Sequence, residues 1–149
     1  MTTETSDTLD AGTTFFFYRG GSAATSLTLA GAVKDIKGQQ QYSVSGGKYV
    51  FMSYPWPIEL PIAGFDKSQA NPAGALAISA TADQIWRWNT AKADWDKYFY
   101  RKGRGVTTPV WCAAGTTTET TDTVPVGEGF FFYRGGSATE TVTLAAPNN

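Results

Sequence analysis

The chain of 149 residues contains no histidine and only one cysteine, Cys112. The absence of histidine removes the commonest general base and transition-metal ligand, and a single cysteine cannot form an internal disulfide. A zinc site made of the usual ligands is excluded as well. The sequence also lacks a nucleophile elbow, a phosphate-binding loop and a dinucleotide fingerprint. We therefore expect a protein that is not an enzyme and that carries no cofactor.

Charge and long apolar runs are scarce too. The formal net charge is −1, and the one small basic group, at 101–104, is too short to form a nucleic-acid footprint. No apolar run approaches the roughly 20 residues of a membrane span. The start, MTTETSDTLDAG, has neither the basic nor the apolar region of a signal peptide. We expect an extracellular or cell-surface protein in its mature form, with a cytoplasmic location as the alternative.

Paired carboxylates are the remaining source of chemistry. Asp94 and Asp96 lie two residues apart on a predicted strand and so share a face. Glycosidases need only two carboxylates, and this spacing could also contribute oxygens to a calcium site. Charged residues at the mouth of a hairpin are the simpler interpretation.

The most informative feature is a duplication. The segment FFFYRGGSA occurs at 15–23 and at 130–138, and the same offset of 115 residues aligns 2–30 with 117–145 without gaps. We call 2–30 the first copy and 117–145 the second copy. The sequence accordingly divides into a segment 1–33, which duplicates the C-terminal one, and a β-rich domain 34–149.

Each copy is predicted to form a β-hairpin, with an aromatic strand, a Gly-Gly turn and a second strand of alternating polarity. In that second strand Leu27, Leu29, Val142 and Leu144 are expected to face the core. The aromatic strand is apolar on both faces, so both faces need cover, either within a sandwich or from a neighbouring molecule. The predicted fold is thus all-β, an antiparallel sandwich or barrel-like domain with duplicated hairpins near its termini.

The region between the copies is also rich in strand signals. Two short strands are predicted around Gly46-Gly47, a hairpin is predicted from QIWRWN (84–89) and DWDKYFYRK (94–102), and PVWC (109–112) adds another strand. The prolines of YPWPIELPI (54–62) favour an extended edge over a central strand. A short helix fits only within 65–83.

The order KYVFMSYPWPIEL, ADQIWRWNTAKADWDKYFY and VPVGEGFFFYRGG resembles a β-rich repeat domain of secreted proteins of Verrucomicrobia-type bacteria. The resemblance covers about residues 40–146 and rests on aromatic and glycine positions. The chain departs from the family pattern at Ser53-Tyr54-Pro55, where an Asn-Pro pair is expected. The resemblance implies a secreted β-domain and implies no reaction.

Two functions remain open. A hairpin that fits its own domain also fits the equivalent site of a neighbour, which favours head-to-tail self-assembly into a filament by strand addition. The expected assembly residues are Phe15, Phe16, Phe17, Tyr18, Gly20 and Gly21 of the first copy and Phe130, Phe131, Phe132, Tyr133, Gly135 and Gly136 of the second. The alternative is an adhesive or carbohydrate-binding surface module, in which Trp56, Trp86, Trp88 and Trp95 form a stacking platform for glycans.

Overall fold

The computed structural model describes residues 38–65, 82–101 and 108–146, together with residues 8, 15 and 20–22. Over these residues the protein is all-β, with nine antiparallel strands and one short 3-10 turn, which confirms the predicted fold class. The strands are β1 Gln39–Val44, β2 Tyr49–Ser53, β3 Leu60–Pro61, β4 Gln84–Asn89, β5 Asp94–Arg101, β6 Val110–Ala113, β7 Thr123–Val124, β8 Gly129–Tyr133 and β9 Glu140–Ala145. The 3-10 turn is Ile62–Gly64.

The described strands form three sheets. One has five strands in the order β2-β8-β4-β5-β6, and the other two are the pairs β1-β9 and β3-β7. Together they do not close into a barrel. The aromatic strand of the second copy, β8, therefore lies inside the large sheet, with hydrogen-bonded neighbours on both sides.

The main core lies on one face of the large sheet and takes residues from all three sheets. Alternation along each strand decides which side chains reach it. In β8, Phe130 and Phe132 are buried, whereas Phe131 and Tyr133 point to the opposite face and are half-buried. In β9, Val142 and Leu144 are buried as predicted.

The predicted hairpin of 84–102 is confirmed. Strands β4 and β5 pair from Gln84 opposite Phe99 to Asn89 opposite Asp94, and Ala93 in the connection has a φ of 50°. The strand predicted from PVWC forms as β6, and it pairs with β5 at the edge of the sheet. Long alternating runs joined by a short turn make this hairpin readable from the sequence alone.

The second copy differs from its prediction in one respect. Both of its strands form where expected, but β8 pairs with β2 and β4 while β9 pairs with β1 in another sheet. The two strands are therefore not paired with each other, and Gly135-Gly136 carries the chain from one sheet to the next. The chain also passes between the same two sheets at Gly46-Gly47, which connects β1 to β2.

The proline-rich stretch forms no strand before Leu60, in keeping with its composition. Strand β3 then pairs with β7 over only two residues, Leu60 with Val124 and Pro61 with Thr123. Most of the stretch predicted to allow a short helix, 65–83, lies outside the described residues.

Candidate functional site

The position between β2 and β4 that β8 occupies is the first candidate site, and we call it the β8 slot. Strand β8 pairs with β2 from Gly129 opposite Ser53 to Tyr133 opposite Tyr49. On its other edge it pairs with four consecutive residues of β4. Because both edges are hydrogen-bonded, a strand in the slot satisfies its backbone donors and acceptors along its length.

Two phenylalanines anchor the strand on its core side. Phe130 and Phe132 are 0% and 2% exposed. The ring of Phe65 stacks on Phe132 with centroids 5.6 Å apart and meets Phe130 edge-on at 5.9 Å. Full burial of a phenylalanine side chain contributes roughly 1.5–3 kcal/mol, so the pair accounts for a large part of the strand's attachment.

An ion pair fixes the end of the strand. Arg134 donates from Nη1 to Oδ2 of Asp83 at 2.7 Å, and the backbone N–H of Gly135 donates to Oδ1 of the same carboxylate at 2.8 Å. Asp83 is 0% exposed and the side chain of Arg134 is 9% exposed. Glu140 adds a longer contact of 3.4 Å from its Oε1 to Nη2 of Arg134 at the rim. A buried charge pair of this kind is costly to break because either partner alone stays desolvated.

Glycine residues allow the connection between β1 and β2 to contact the connection between β8 and β9 through their backbones. The N–H of Gly47 donates to the carbonyl of Arg134 at 2.8 Å. A Cβ atom added at Gly46 would lie 2.3 Å from the carbonyl oxygen of Gly136 and 2.4 Å from the carbonyl carbon of Ser137. Since those atoms are backbone, no side-chain movement can make room. Only glycine fits at position 46.

The part of the second copy before β8 is fixed as well. The carboxylate of Asp122 accepts a hydrogen bond from the Tyr98 hydroxyl at 2.8 Å, and its carbonyl accepts one from Ile62 N–H. Burial and this carboxylate both raise the pKa of Tyr98, so the phenol stays protonated and keeps donating. Val124 is buried at 1% exposure.

The first copy repeats the side chains that make these contacts. Phe15 and Phe17 correspond to the two buried phenylalanines, Arg19 corresponds to the buried arginine, and Asp7 corresponds to Asp122. The other counterparts of contact residues are Gly20, Gly21, Ser22, Leu9, Leu27 and Leu29. The copies differ mainly where the second is exposed or half-buried, at Glu128, Thr139 and Glu140 for example.

The structure describes only parts of the first copy. Phe15 is 40% exposed, whereas its counterpart Phe130 is fully buried, and Gly20 and Gly21 are exposed. Phe16, Phe17 and Tyr18 lie outside the described residues. Phe15 thus does not occupy a core position equivalent to that of Phe130.

The second candidate site is the other face of the large sheet. Among the described residues, eight aromatic side chains lie on this face, namely Tyr49, Phe51, Trp86, Trp88, Trp95, Phe99, Phe131 and Tyr133. Tyr49 and Trp88 are 47% and 44% exposed, Phe99 is buried, and the others are half-buried. Three of the four tryptophans of the predicted glycan platform lie on this face.

Trp56 does not belong to the platform, and its assignment there was wrong. It is 7% exposed and lies in the core beside Tyr54, with ring centroids 4.7 Å apart. Its position between two prolines placed it on an extended segment, but the proline pattern carries no information about which side of that segment is buried.

A polar cleft of about 610 Å³ lies at the β4–β5 turn. Asp96 is one of its lining residues, and the Asp96 carboxylate accepts hydrogen bonds from Arg87, Asn89 and Lys92 at 2.7–2.8 Å. Partial burial would raise the pKa of Asp96, but the hydrogen bonds from Lys92, Arg87 and Asn89 outweigh it and lower the pKa to about 2. Its oxygens are thus engaged by two cationic side chains and one amide.

The paired aspartates do not come together as a metal site. The Asp94 carboxylate is exposed and accepts a hydrogen bond from Trp95 N–H, on the neighbouring residue. Among the residues that the structure describes, no group of three or more cysteine, aspartate or glutamate side chains could hold a metal ion.

Sequence reasoning missed Asp83 and Gly46, which hold the second copy in place from distant parts of the chain. Arg134 could have been found, because it is a charged residue retained in both copies beside an apolar strand. Asp83 has no comparable signal.

In the described part of the chain, no helix has the length and apolar character needed to cross a membrane. Comparisons of the chain with protein-family models, with curated proteins and with solved structures find no match.

Proposed function

We propose that the protein is a structural, self-associating protein whose chains are linked by exchange of the aromatic segment. In this exchange the first copy of one chain occupies the β8 slot of another molecule of the same protein. The observation that carries the proposal is that the first copy repeats the side chains that hold β8 in its slot. Both buried phenylalanines and the buried arginine recur in it, as Phe15, Phe17 and Arg19.

The register of the exchanged strand follows from the offset of 115 residues. Phe15 and Phe17 enter the core, and Arg19 reaches Asp83 of the second chain. Gly21 then meets Gly46, where any larger residue at 46 would collide with the crossing backbone. One difference at the rim is Thr25 in place of Glu140, which removes the 3.4 Å contact with the arginine. Such contacts contribute little to stability.

The energetics of exchange depend on competition between the two copies. Each chain offers one β8 slot and carries two segments with nearly the same contact residues. The second copy has the advantage of belonging to the same chain, which is equivalent to an effective concentration of about millimolar. Exchange therefore becomes favourable at high local protein concentration, or when the second copy is weakened.

The symmetry of the contact decides the form of the assembly. A first copy that inserts into a neighbour joins two different surfaces, so the interface is heterologous and can continue from chain to chain. Open filaments and closed rings both satisfy this arrangement.

A glycan platform has weaker support from the geometry. The rings of Trp88 and Trp95 are inclined at 72°, and those of Trp86 and Trp95 at 50°. Neither of these two pairs offers parallel ring planes on which successive sugar rings could stack.

The test compares two matched substitutions in the full chain, Arg134→Met and Arg19→Met. Light scattering after size-exclusion chromatography would follow the mass at protein concentrations from roughly 10 µM to roughly 1 mM. Arg134→Met weakens the resident segment, so we expect oligomers to form at a concentration at least about tenfold lower than for the unmodified chain.

Arg19→Met removes the charge needed by the incoming segment and should suppress the oligomers without lowering thermal stability. The double variant separates the two roles, because weakening both segments alike should restore the behaviour of the unmodified chain. An Arg19→Met chain that associates as readily as the unmodified one would overturn the proposal, whatever happens to the folding of Arg134→Met.

A further inference from the structure

The aromatic face of the large sheet contains a shallow depression that strand exchange leaves unused. Four rings from four adjacent strands line it: Tyr49 of β2, Phe131 of β8, Trp86 of β4 and Trp95 of β5. We call this group the aromatic box. Its volume is about 320 Å³, and Tyr49 at its edge is 47% exposed, so the box is open to solvent.

The rings stand at steep angles to one another and so form walls. Successive centroids around the box are 5.3 Å apart for Tyr49 and Trp86, and 6.5 Å for Trp86 and Trp95. The circuit closes with 5.4 Å from Trp95 to Phe131 and 6.3 Å from Phe131 to Tyr49. Neighbouring planes are inclined by 50–87°.

These distances suit a cation better than a flat ring. A cation interacts with an aromatic ring within about 6 Å of its centroid. The centroid separations of 5.3–6.5 Å therefore allow a cation in the box to lie within that range of two neighbouring rings at once. The four lining residues carry no formal charge, so their aromatic rings are the source of attraction.

The structure already shows one of these rings in contact with an ammonium group. Nζ of Lys97 lies 4.2 Å from the centroid of Trp86. Lys97 is not among the residues that line the box. The indole of Trp86 therefore contributes to the box while it also contacts the lysine side chain.

We infer that the aromatic box binds an organic cation of the quaternary ammonium class, such as a choline head group. A quaternary ammonium needs no hydrogen-bond partner, which matches a lining made of aromatic rings. A sugar would need several placed polar groups for its hydroxyls. In the box, Trp86 Nε1 already donates to Gln84 at 2.8 Å. The box takes Phe131 from the strand in the β8 slot, and an exchanged strand preserves it, since Phe16 corresponds to Phe131.

The first experiment titrates the full chain with choline chloride and, in parallel, with 3,3-dimethylbutan-1-ol, its uncharged analogue of the same shape. Tryptophan fluorescence and the aromatic region of the NMR spectrum report binding. We expect saturable binding of choline and at least about tenfold weaker binding of the neutral analogue, because only the charge differs. Equal affinities, or no saturable binding of choline, would overturn the inference.

Three substitutions locate the site. Tyr49→Ala, at the exposed edge, should weaken choline binding at least about fivefold, whereas Trp88→Ala, on the same face but outside the lining, should leave it unchanged. Lys97→Gln removes a nearby like charge and should strengthen choline binding about two- to threefold. An anionic ligand, or a sugar that accepts a hydrogen bond from Lys97, would instead bind more weakly to the Lys97→Gln variant.

Two further probes separate the possible ligand sources. Vesicles of phosphatidylcholine, compared with vesicles of phosphatidylglycerol, distinguish a lipid-borne head group from free choline, and selective binding to the former supports the same chemistry. Gluco-oligosaccharides that bind in the box while choline does not would overturn the inference in favour of a glycan site. Melting curves of each variant establish that a lost affinity is not lost folding.

Discussion

The buried ion pair at the end of β8 gives the sharpest prediction about the β8 slot. Asp83 accepts hydrogen bonds from Arg134 at 2.7 Å and from the backbone of Gly135 at 2.8 Å, and its own side chain is completely buried. Asp83→Asn keeps the size and one acceptor oxygen but removes the charge. Arg134 then loses the charged partner at 2.7 Å and keeps the longer contact with Glu140.

The expected loss in free energy of unfolding for Asp83→Asn can be estimated from these contacts. Removing one partner of a buried ion pair costs roughly 3–5 kcal/mol. Asparagine can still accept from Gly135, so the lower end of that range applies, about 3 kcal/mol. For a domain of this size that corresponds to a fall in Tm of about 10 °C.

The assay is thermal and urea unfolding followed by circular dichroism, with Asp94→Asn as the matched control. Asp94 is exposed, so the same chemical change there should alter stability by no more than about 0.5 kcal/mol. The double variant Asp83→Asn, Arg134→Met should lose less stability than the sum of the two single losses, by at least about 1 kcal/mol. Equal effects of Asp83→Asn and Asp94→Asn would refute the anchoring role of the pair.

Three other predictions follow from the packing. Gly46→Ala should destabilise the domain by about 1–3 kcal/mol because its Cβ would meet backbone at 2.3 Å. Gly64→Ala, whose Cβ finds its nearest neighbour at 3.7 Å, should be nearly neutral in the same melt, and a similar loss in both would contradict the packing argument. The folded-state pKa of Asp96, about 2, lies below the ordinary value of 3.8. The stability that the ionised Asp96 carboxylate contributes is therefore present above about pH 4 and lost as the pH falls toward 2. Asp96→Asn should abolish this part of the acid profile, and an unchanged profile would show that other groups cause it. Phe17→Asp should suppress self-association more strongly than Phe16→Asp, since only the former places a charge in the neighbour's core. Scattering data in which the two variants behave alike would argue against the proposed register.

Local patterns predicted much of this fold. The β4–β5 hairpin has long alternating strands and a short connection, and both partners lie within one stretch of sequence. The alternation of β9 likewise placed Val142 and Leu144 in the core. The duplication also marked the segment that the β8 slot holds.

Features that depend on distant partners were not predictable in the same way. Gly-Gly after an aromatic strand favours a hairpin turn, yet Gly135-Gly136 connects two different sheets. The reason lies at Gly46, far away in the chain, against whose backbone this crossing packs. No sequence pattern marks Asp83 either, because its role depends on the ion pair with Arg134 at the end of β8. The burial of Trp56 depends on how a proline-rich segment folds over the core.

The tilt of rings on the outer face is another property that sequence could not supply. Period-two alternation places Trp86, Trp88 and Trp95 on one face of the hairpin. It contains nothing about Tyr49 and Phe131, which join them because β8 inserts between β2 and β4. The aromatic box therefore exists only as a consequence of the β8 slot being filled.

The central claim, that the first copy of one chain fills the β8 slot of another, can be tested most directly by trapping the exchanged strand. Gly129 lies opposite Ser53 in the resident pairing, and Thr14 is the counterpart of Gly129. Directly opposed residues in an antiparallel pair are close enough for a disulfide. The chain carrying Thr14→Cys and Ser53→Cys would be oxidised at high concentration and analysed by non-reducing electrophoresis and mass spectrometry.

We expect a ladder of disulfide-linked chains joined through positions 14 and 53. The matched variant Ser53→Cys with Gly129→Cys should instead close an internal disulfide, lock the resident strand and give no ladder. A ladder that also forms with Thr14→Cys alone would reflect random oxidation and contradict the claim. The result that contradicts it most plainly is a Thr14→Cys, Ser53→Cys chain that stays monomeric, whether reduced or internally linked.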